Sequence, residues 1–233
     1  MNNSNLIATR DLVKTFPMGN HEFTALNEIN LVFKTGEFSG LVGPSGSGKT
    51  TLLNILGSLD TPTRGEAVVL GQSISELTSK NMANLRNHHL GFIFQTYNLL
   101  PVYTVYENVE LPLLLLKIPA AERKQTVLQS LEWVGLTDKI KSRPAQLSGG
   151  ECQRVSIARA MVKTPKIVLA DEPTANLDAK NSHNILQTME KLNRELNTTF
   201  IFATHDEKVI QYLRRKISLD DGQVVSDETI TGK

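Results

Sequence analysis

The stretch Gly43-Pro44-Ser45-Gly46-Ser47-Gly48-Lys49-Thr50 constrains this chain more than any other. It fits the pattern G-x-x-x-x-G-K-[ST], in which a Gly-rich backbone curls successive N–H groups round phosphate oxygens while a lysine reaches the terminal phosphates. Such a loop needs a strand before it and a helix after it. Phe38-Ser39-Gly40-Leu41-Val42 reads as the strand, and Thr51-Leu52-Leu53-Asn54-Ile55-Leu56 has the apolar spacing of the helix. A helix starting at Gly48 aims its free N–H groups and positive dipole end at bound phosphates, and Thr50 then offers a hydroxyl to magnesium. Taken alone, the loop implies a bound nucleoside triphosphate and says nothing of its use.

The flanking chain reads as an α/β protein. Short extended segments are predicted at Leu6–Ala8, Asp11–Val13 and Thr24–Phe33, with a further strand at Glu66–Leu70 closed by Gly71. A polar-rich helical pattern runs from about Ser75 to Asn87, and Leu90–Phe94 is a strand that delivers Gln95 at its end. The middle third is helical. Ala120 to Val134, stopped by Gly135, places Val127, Leu128, Leu131 and Val134 on one face, and a second helix runs from Cys152 to Val162. The last third alternates strand Ile167–Ala170, helix Lys180–Leu196, strand Phe200–Ala203, helix Glu207–Leu213, and a hairpin of Ile217–Leu219 with Gln223–Val225 about an Asp-Gly turn.

Two carboxylates mark the chemistry. Ile167-Val168-Leu169-Ala170-Asp171-Glu172 is a continuous apolar run ending in two carboxylates, the mark of a central parallel strand buried on both faces, and ligand sites in open α/β sheets lie beyond the carboxyl ends of such strands. Asp171 suits magnesium, directly or through water, and Glu172 suits the orientation and deprotonation of an attacking water. Gln95 and His205 also follow strands. Gln95 could serve the metal or the water, or be an ordinary surface residue; the His205 imidazole could reach a terminal phosphate. Leu147-Ser148-Gly149-Gly150-Glu151 supports two readings at once, a capping box for the next helix and an anion site at that helix start. One phosphate loop has no internal need for a second such site, so two chains facing head to tail would explain it, and a nucleotide-dependent dimer is expected.

The composition excludes several partners and settings. With 25 basic against 24 acidic side chains the net charge is +1, which gives no electrostatic reason to expect nucleic acid. A single cysteine, Cys152, suits a reducing compartment, and Met1–Asn5 lack the regions of a signal peptide. The run Leu111–Leu116 is far short of the about 20 apolar residues that span a bilayer. The expected setting is the cytoplasm, with membrane attachment through a partner.

The order of Gly43–Thr50, Gln95, Leu147–Glu151, Asp171-Glu172, Asn176-Leu177-Asp178 and His205 resembles the ATP-binding cassette ATPases over nearly the whole chain. The resemblance implies an α/β fold in one domain: a RecA-like core with an antiparallel β part over 1–95 and 165–233, and an inserted helical subdomain over about 96–164. It implies ATP and Mg2+ as cofactors, with two ATP molecules sandwiched between two subunits. Phe16 would stack the adenine, and Gly43, Pro44, Ser45, Gly46, Ser47, Gly48, Lys49, Thr50 and Thr51 would hold one nucleotide. Leu147, Ser148, Gly149, Gly150 and Glu151 would complete the site of the other subunit, and Asp178 would also be a nucleotide-binding residue. Glu172, His205 and Gln95 would be catalytic, and Thr50, Gln95 and Asp171 would serve the metal.

Finer features narrow the resemblance. Arg86-Asn87, Gly91–Gln95, Asn98–Pro101 and Glu107–Leu113 are similar to the group serving lipoprotein-releasing and macrolide-exporting transporters, while a cell-division ATPase with a mechanical rather than transport role shares much of this. The implied partners are membrane permease subunits and a second ATPase subunit, which would hold the chain on the cytoplasmic face of the inner membrane. The chain departs from the pattern at Phe16, where Tyr is usual, at Ala175 in place of Gly, and at Cys152 in place of a polar residue. The last puts a thiol close to the expected dimer interface, so that its alkylation is expected to slow ATP turnover.

Overall fold

The computed structural model describes residues 5–19 and 21–230; Met1–Ser4, part of the stretch read as lacking a signal peptide, lie outside the described residues. The chain opens with a long antiparallel hairpin of β1 (Asn5–Met18) and β2 (His21–Lys34). The short segments expected at Leu6–Ala8 and Asp11–Val13 are one strand. Between Thr9 and Leu12 the register shifts, Asp11 takes φ 44°, and the alternation that marks a strand in sequence is lost although pairing continues. The displaced peptide is satisfied by a side chain, since Asp11 N–H donates to Asn30 Oδ1 at 2.9 Å.

Next come β3 (Phe38–Val42), α1 (Lys49–Leu56), β4 (Arg64–Val69) and the two-residue β5 (Gln72–Ser73), which sequence patterning had not suggested. The helix expected from Ser75 is split. Ile74–Glu76 forms a 3-10 turn, Leu77 and Thr78 are extended, and α2 (Ser79–His89) starts where Thr78 Oγ1 accepts the Asn81 N–H at 3.2 Å. After β6 (Leu90–Ile93) lie three helices, α3 (Val105–Leu115), α4 (Ala120–Trp133) and α5 (Gly149–Met161). The buried Asn108 of α3 staples the preceding loop, accepting from Leu100 N–H at 2.8 Å and donating to Leu100 O at 3.1 Å and Thr104 O at 3.0 Å. The chain ends with β7 (Ile167–Asp171), α6 (Ala179–Leu196), β8 (Thr199–Thr204), the short α7 (Glu207–Ile210), β9 (Arg215–Asp220) and β10 (Gln223–Thr229).

Two sheets result. One is antiparallel in the order β2-β1-β4-β5; the other runs β10-β9-β3-β8-β7-β6, parallel except for β10. The parallel sheet divides two cores, and its strands feed both. Phe200 and Phe202 of β8 with Val168 and Ala170 of β7 pack under α3, α4, α5 and α6, while Ile201, Ala203, Ile167 and Leu169 face α1 and the antiparallel sheet. This is why the strands read as unbroken apolar runs. Burying one such large side chain contributes about 1.5–3 kcal/mol, more than the about 1 kcal/mol of a helix cap, so packing sets the sheet and caps trim its edges. The carboxyl ends of β3, β7 and β8 converge on one edge of the sheet, and among the described residues no helix is long and apolar enough to cross a membrane.

Candidate active site

The phosphate loop joins β3 to α1 and is wedged between backbones. A Cβ added at Gly43 would lie 2.1 Å from Leu219 O, and one at Gly48, where φ is +95°, would lie 2.6 Å from Ala25 O. Only glycine fits either position. The loop also presents unmet donors. The start of α1 has no side-chain cap and no acidic residue in its first turn, and the buried Ser47 Oγ has no hydrogen-bond partner. Lys49 Nζ donates to Gly43 O at 2.8 Å and Pro44 O at 2.7 Å. Burial lowers the Lys49 pKa, against the pull of Glu172 and Asp171, which raises it. Free helix N–H groups, an orphaned hydroxyl and an inward lysine are what a phosphate would satisfy.

A cleft of about 420 Å³ brings Ser45, Gly46, Gly48, Lys49, Thr50 and Thr51 together with Gln95, Asp171, Glu172 and His205. A smaller cleft of about 160 Å³ between His183 and Tyr212 holds none of them. Thr50 Oγ1 sits 3.2 Å from each oxygen of Asp171. Burial raises the Asp171 pKa and the Thr50 hydrogen bond opposes that shift. Among the described residues no cluster of three His, Cys, Asp or Glu could cage a metal. The Thr50 and Asp171 pair instead offers one hydroxyl and one carboxylate, the sparse protein share that suits a magnesium ion arriving with phosphates and water.

Glu172 is the most constrained member of the group. Its φ is +45°, its N–H donates to Ala203 O at 2.9 Å, His205 Nδ1 donates to its Oε1 at 2.6 Å, and Thr204 Oγ1 donates to its Oε2 at 3.0 Å. The Gln95 carbonyl accepts from Asn176 Nδ2 at 2.9 Å, tying the end of β6 to the turn before α6. Ser148 and Glu151 form the capping box in full: Ser148 N–H donates to Glu151 Oε2 at 2.7 Å and Glu151 N–H to Ser148 Oγ at 3.3 Å. None of the residues 147–151 lines the cleft.

The family model described as ABC transporter matches residues 26–175. This chain belongs to the ABC transporter family. It is 43% identical to the lipoprotein-releasing system ATP-binding protein LolD of Geobacter metallireducens over 96% of this chain and all of that protein. It is 41% identical to the ATP-binding cassette MJ0796, solved as a dimer in a post-hydrolysis state with ADP and phosphate, with a TM-score of 0.89 over 97% of this chain and all of that one. CbiO1 of Clostridium perfringens, part of the cbiONQ ABC transporter complex, is 27% identical, with a TM-score of 0.88 over 97% of this chain and 89% of that one. The chain is thus an ABC ATPase, a nucleotide-binding and ATP-hydrolysing subunit with the cassette fold.

The remaining residues of this ABC ATPase stand as follows. Asp178 caps α6, accepting from Asn181 N–H at 2.8 Å, a bond that lowers its pKa. Leu147 packs against the helical core. Phe16 lies outside the cleft lining, with Lys14 Nζ 5.0 Å from its ring centroid; its cross-strand partner Phe23 lines the cleft, as does Ala25. Sequence reading missed both, and it missed Thr204, although that residue precedes His205 at the end of an apolar strand. Cys152 is 8% exposed and burial raises its pKa, both of which slow the alkylation expected to lower turnover.

Proposed function

We propose that this ABC ATPase powers a membrane permease of the lipoprotein-releasing or export type, closing as a head-to-tail pair on two ATP molecules and reopening after hydrolysis. One observation carries the pairing: the cleft gathers the phosphate loop, Gln95, Asp171, Glu172 and His205, while the glycine-rich start of α5 stands outside it, with the Gly149 and Gly150 N–H groups left out of its capping box. As acceptor of the Glu151 N–H, Ser148 keeps its own proton free for a phosphate. A second copy would supply that start. The likeness to a dimeric cassette and to a named lipoprotein-releasing ATPase supports the same reading.

In this mechanism Gly43–Thr51 hold the phosphates, Lys49 offsets their charge, and the aromatic pair Phe16 and Phe23 takes the base. Thr50 and Asp171, with Gln95, would hold Mg2+, which when bound neutralises charge on the transferring phosphoryl group. Glu172 takes the proton from the attacking water and His205 contacts the terminal phosphate. Phosphoryl transfer asks mainly for positioning and charge neutralisation, and these residues provide both. We read residues 96–164 as a helical subdomain that turns with the partner's nucleotide, with Asp178 next to that interface.

The experiment is sedimentation of the purified chain with and without Mg-ATP in the Glu172→Gln background. A monomer without nucleotide and a dimer with it are expected, and Ser148→Arg should leave the chain monomeric at the same nucleotide occupancy. A dimer that forms equally with Arg at this position would overturn the head-to-tail arrangement.

The permease reading has its own support. Leu100, Val102, Tyr103, Leu114 and Leu115 are exposed apolar side chains in the loop before α3 and at its end, with Val102 70% exposed. We place the permease's cytoplasmic contact there, which would hold the chain at the inner face of the membrane. Val102→Asp should leave the ATPase rate of the isolated chain within about twofold, because it lies off the cleft, while abolishing co-purification with the membrane subunits. Undiminished co-purification would remove this surface from the contact.

A further inference from the structure

Thr204 ends β8 beside Val42 of β3, in the middle of the parallel sheet, and is fully buried. Its hydroxyl has two polar neighbours. The Asp206 N–H, which can only donate, gives its proton to Thr204 Oγ1 at 3.0 Å. The hydroxyl therefore spends its own proton on the other neighbour, Glu172 Oε2, at 3.0 Å. Asp206 is itself tied by Thr174 Oγ1, which donates to Asp206 Oδ2 at 3.2 Å, and by the Lys208 N–H, which donates to Asp206 Oδ1 at 2.9 Å. The direction of the Thr204 bond is thus set by the chain around it.

The two oxygens of Glu172 differ in what holds them. Oε2 is bonded to a hydroxyl on a rigid central strand. Oε1 is bonded to His205, whose side chain is 67% exposed against 15% for Glu172 itself. The Glu172 N–H is bonded to Ala203 O at 2.9 Å, so main chain and side chain of this left-handed residue are both fastened to the end of β8. We propose that Thr204 is the positioning residue of Glu172, fixing Oε2 so that Oε1 alone is offered to the cleft. His205 is free to turn toward a phosphate, and Glu172 keeps its aim when it does. The inference rests on the reading of Glu172 as the general base and deepens it: the base is half of a carboxylate–hydroxyl pair built across β7 and β8.

The test compares Thr204→Val, Thr204→Ser, Glu172→Gln and the double variant Thr204→Val/Glu172→Gln in the full chain, by steady-state ATPase assay and by titration of a fluorescent ATP analogue. Valine keeps the shape and removes the hydroxyl. It should lower kcat about tenfold to a hundredfold, the scale of a misplaced catalytic group, with KM and analogue affinity within about twofold. Serine should restore at least half of the rate. In the Glu172→Gln background the valine change should cost nothing further, because there is no base left to aim. A valine variant with unchanged kcat, a serine variant as impaired as valine, or an equal loss in the Glu172→Gln background would overturn the proposal, and so would loss of analogue binding in the valine variant, since Thr204 would then hold the loop and not the base. Full turnover in Glu172→Gln itself would instead sink the assignment of the base.

Discussion

Glu172→Gln should lower kcat for ATP hydrolysis by about 10²- to 10⁴-fold, the usual worth of a positioned general base, while nucleotide affinity stays within about twofold. The amide matches the carboxylate in shape and can still accept from Thr204 through its oxygen, so the left-handed backbone at φ +45° and its bond to Ala203 have no reason to change. The amide nitrogen, standing where Oε1 was, can take no proton from water and no longer accepts from His205 Nδ1, whose exposed ring can turn away. Because hydrolysis is what reopens the pair in the proposed cycle, the variant should also accumulate as an ATP-bound dimer that persists through gel filtration. Phosphate release under saturating ATP measures the first effect and elution volume the second. Turnover near the native rate would show that another group accepts the proton.

Lys49→Ala should weaken ATP binding by about 100-fold or more. A charge-assisted hydrogen bond contributes about 1.5–3 kcal/mol, and 1.4 kcal/mol is a factor of ten in affinity, so two lost contacts to phosphate account for that size. The contacts of Lys49 within the loop add a second cost. Lys49 is 7% exposed and its ammonium fills the mouth of the loop by donating to Gly43 O and Pro44 O, so alanine leaves both carbonyls without that partner. Titration of a fluorescent ATP analogue gives the affinity, and thermal unfolding without nucleotide gives the cost to the empty loop. An affinity within threefold of the native chain would show that helix N–H groups alone hold the phosphates.

What could be read from sequence and what could not follow one physical division. The strand, loop and helix around Gly43–Thr50, and the strand ends bearing Gln95, Asp171-Glu172 and His205, are local patterns whose chemistry depends on residues close in the chain, and the structure gathers them in one cleft. The full length of the hairpin of β1 and β2 is hidden in sequence because its bulge at Asp11 is stabilised from across the sheet by Asn30, a partner nineteen residues away that no local alternation reveals. The start of α2 is hidden because Thr78, and not the polar run before it, supplies the cap. The bounds of α3 are hidden because Pro112 lies inside it and breaks the helical pattern. Which aromatic lines the cleft was equally hidden. Phe16 and Phe23 are cross-strand partners, and the choice between them depends on where the hairpin lies over the loop, with Ala25 of β2 backed against Gly48.

The bare first turn of α1 makes nucleotide a component of the fold as well as its fuel. Where Thr78, Thr104, Ser148 and Asp178 close the starts of their helices with their own side chains, the helix at Lys49 leaves that place to a ligand. By mass action a ligand at 100 times its Kd adds about 2.7 kcal/mol to the folded state, a large share of the about 5–15 kcal/mol that holds a typical domain together. The empty cassette is therefore the least stable form in its cycle. An exchange of ADP for ATP would pass through that form, so bound nucleotide would hold the subunit folded in the same act by which it drives it.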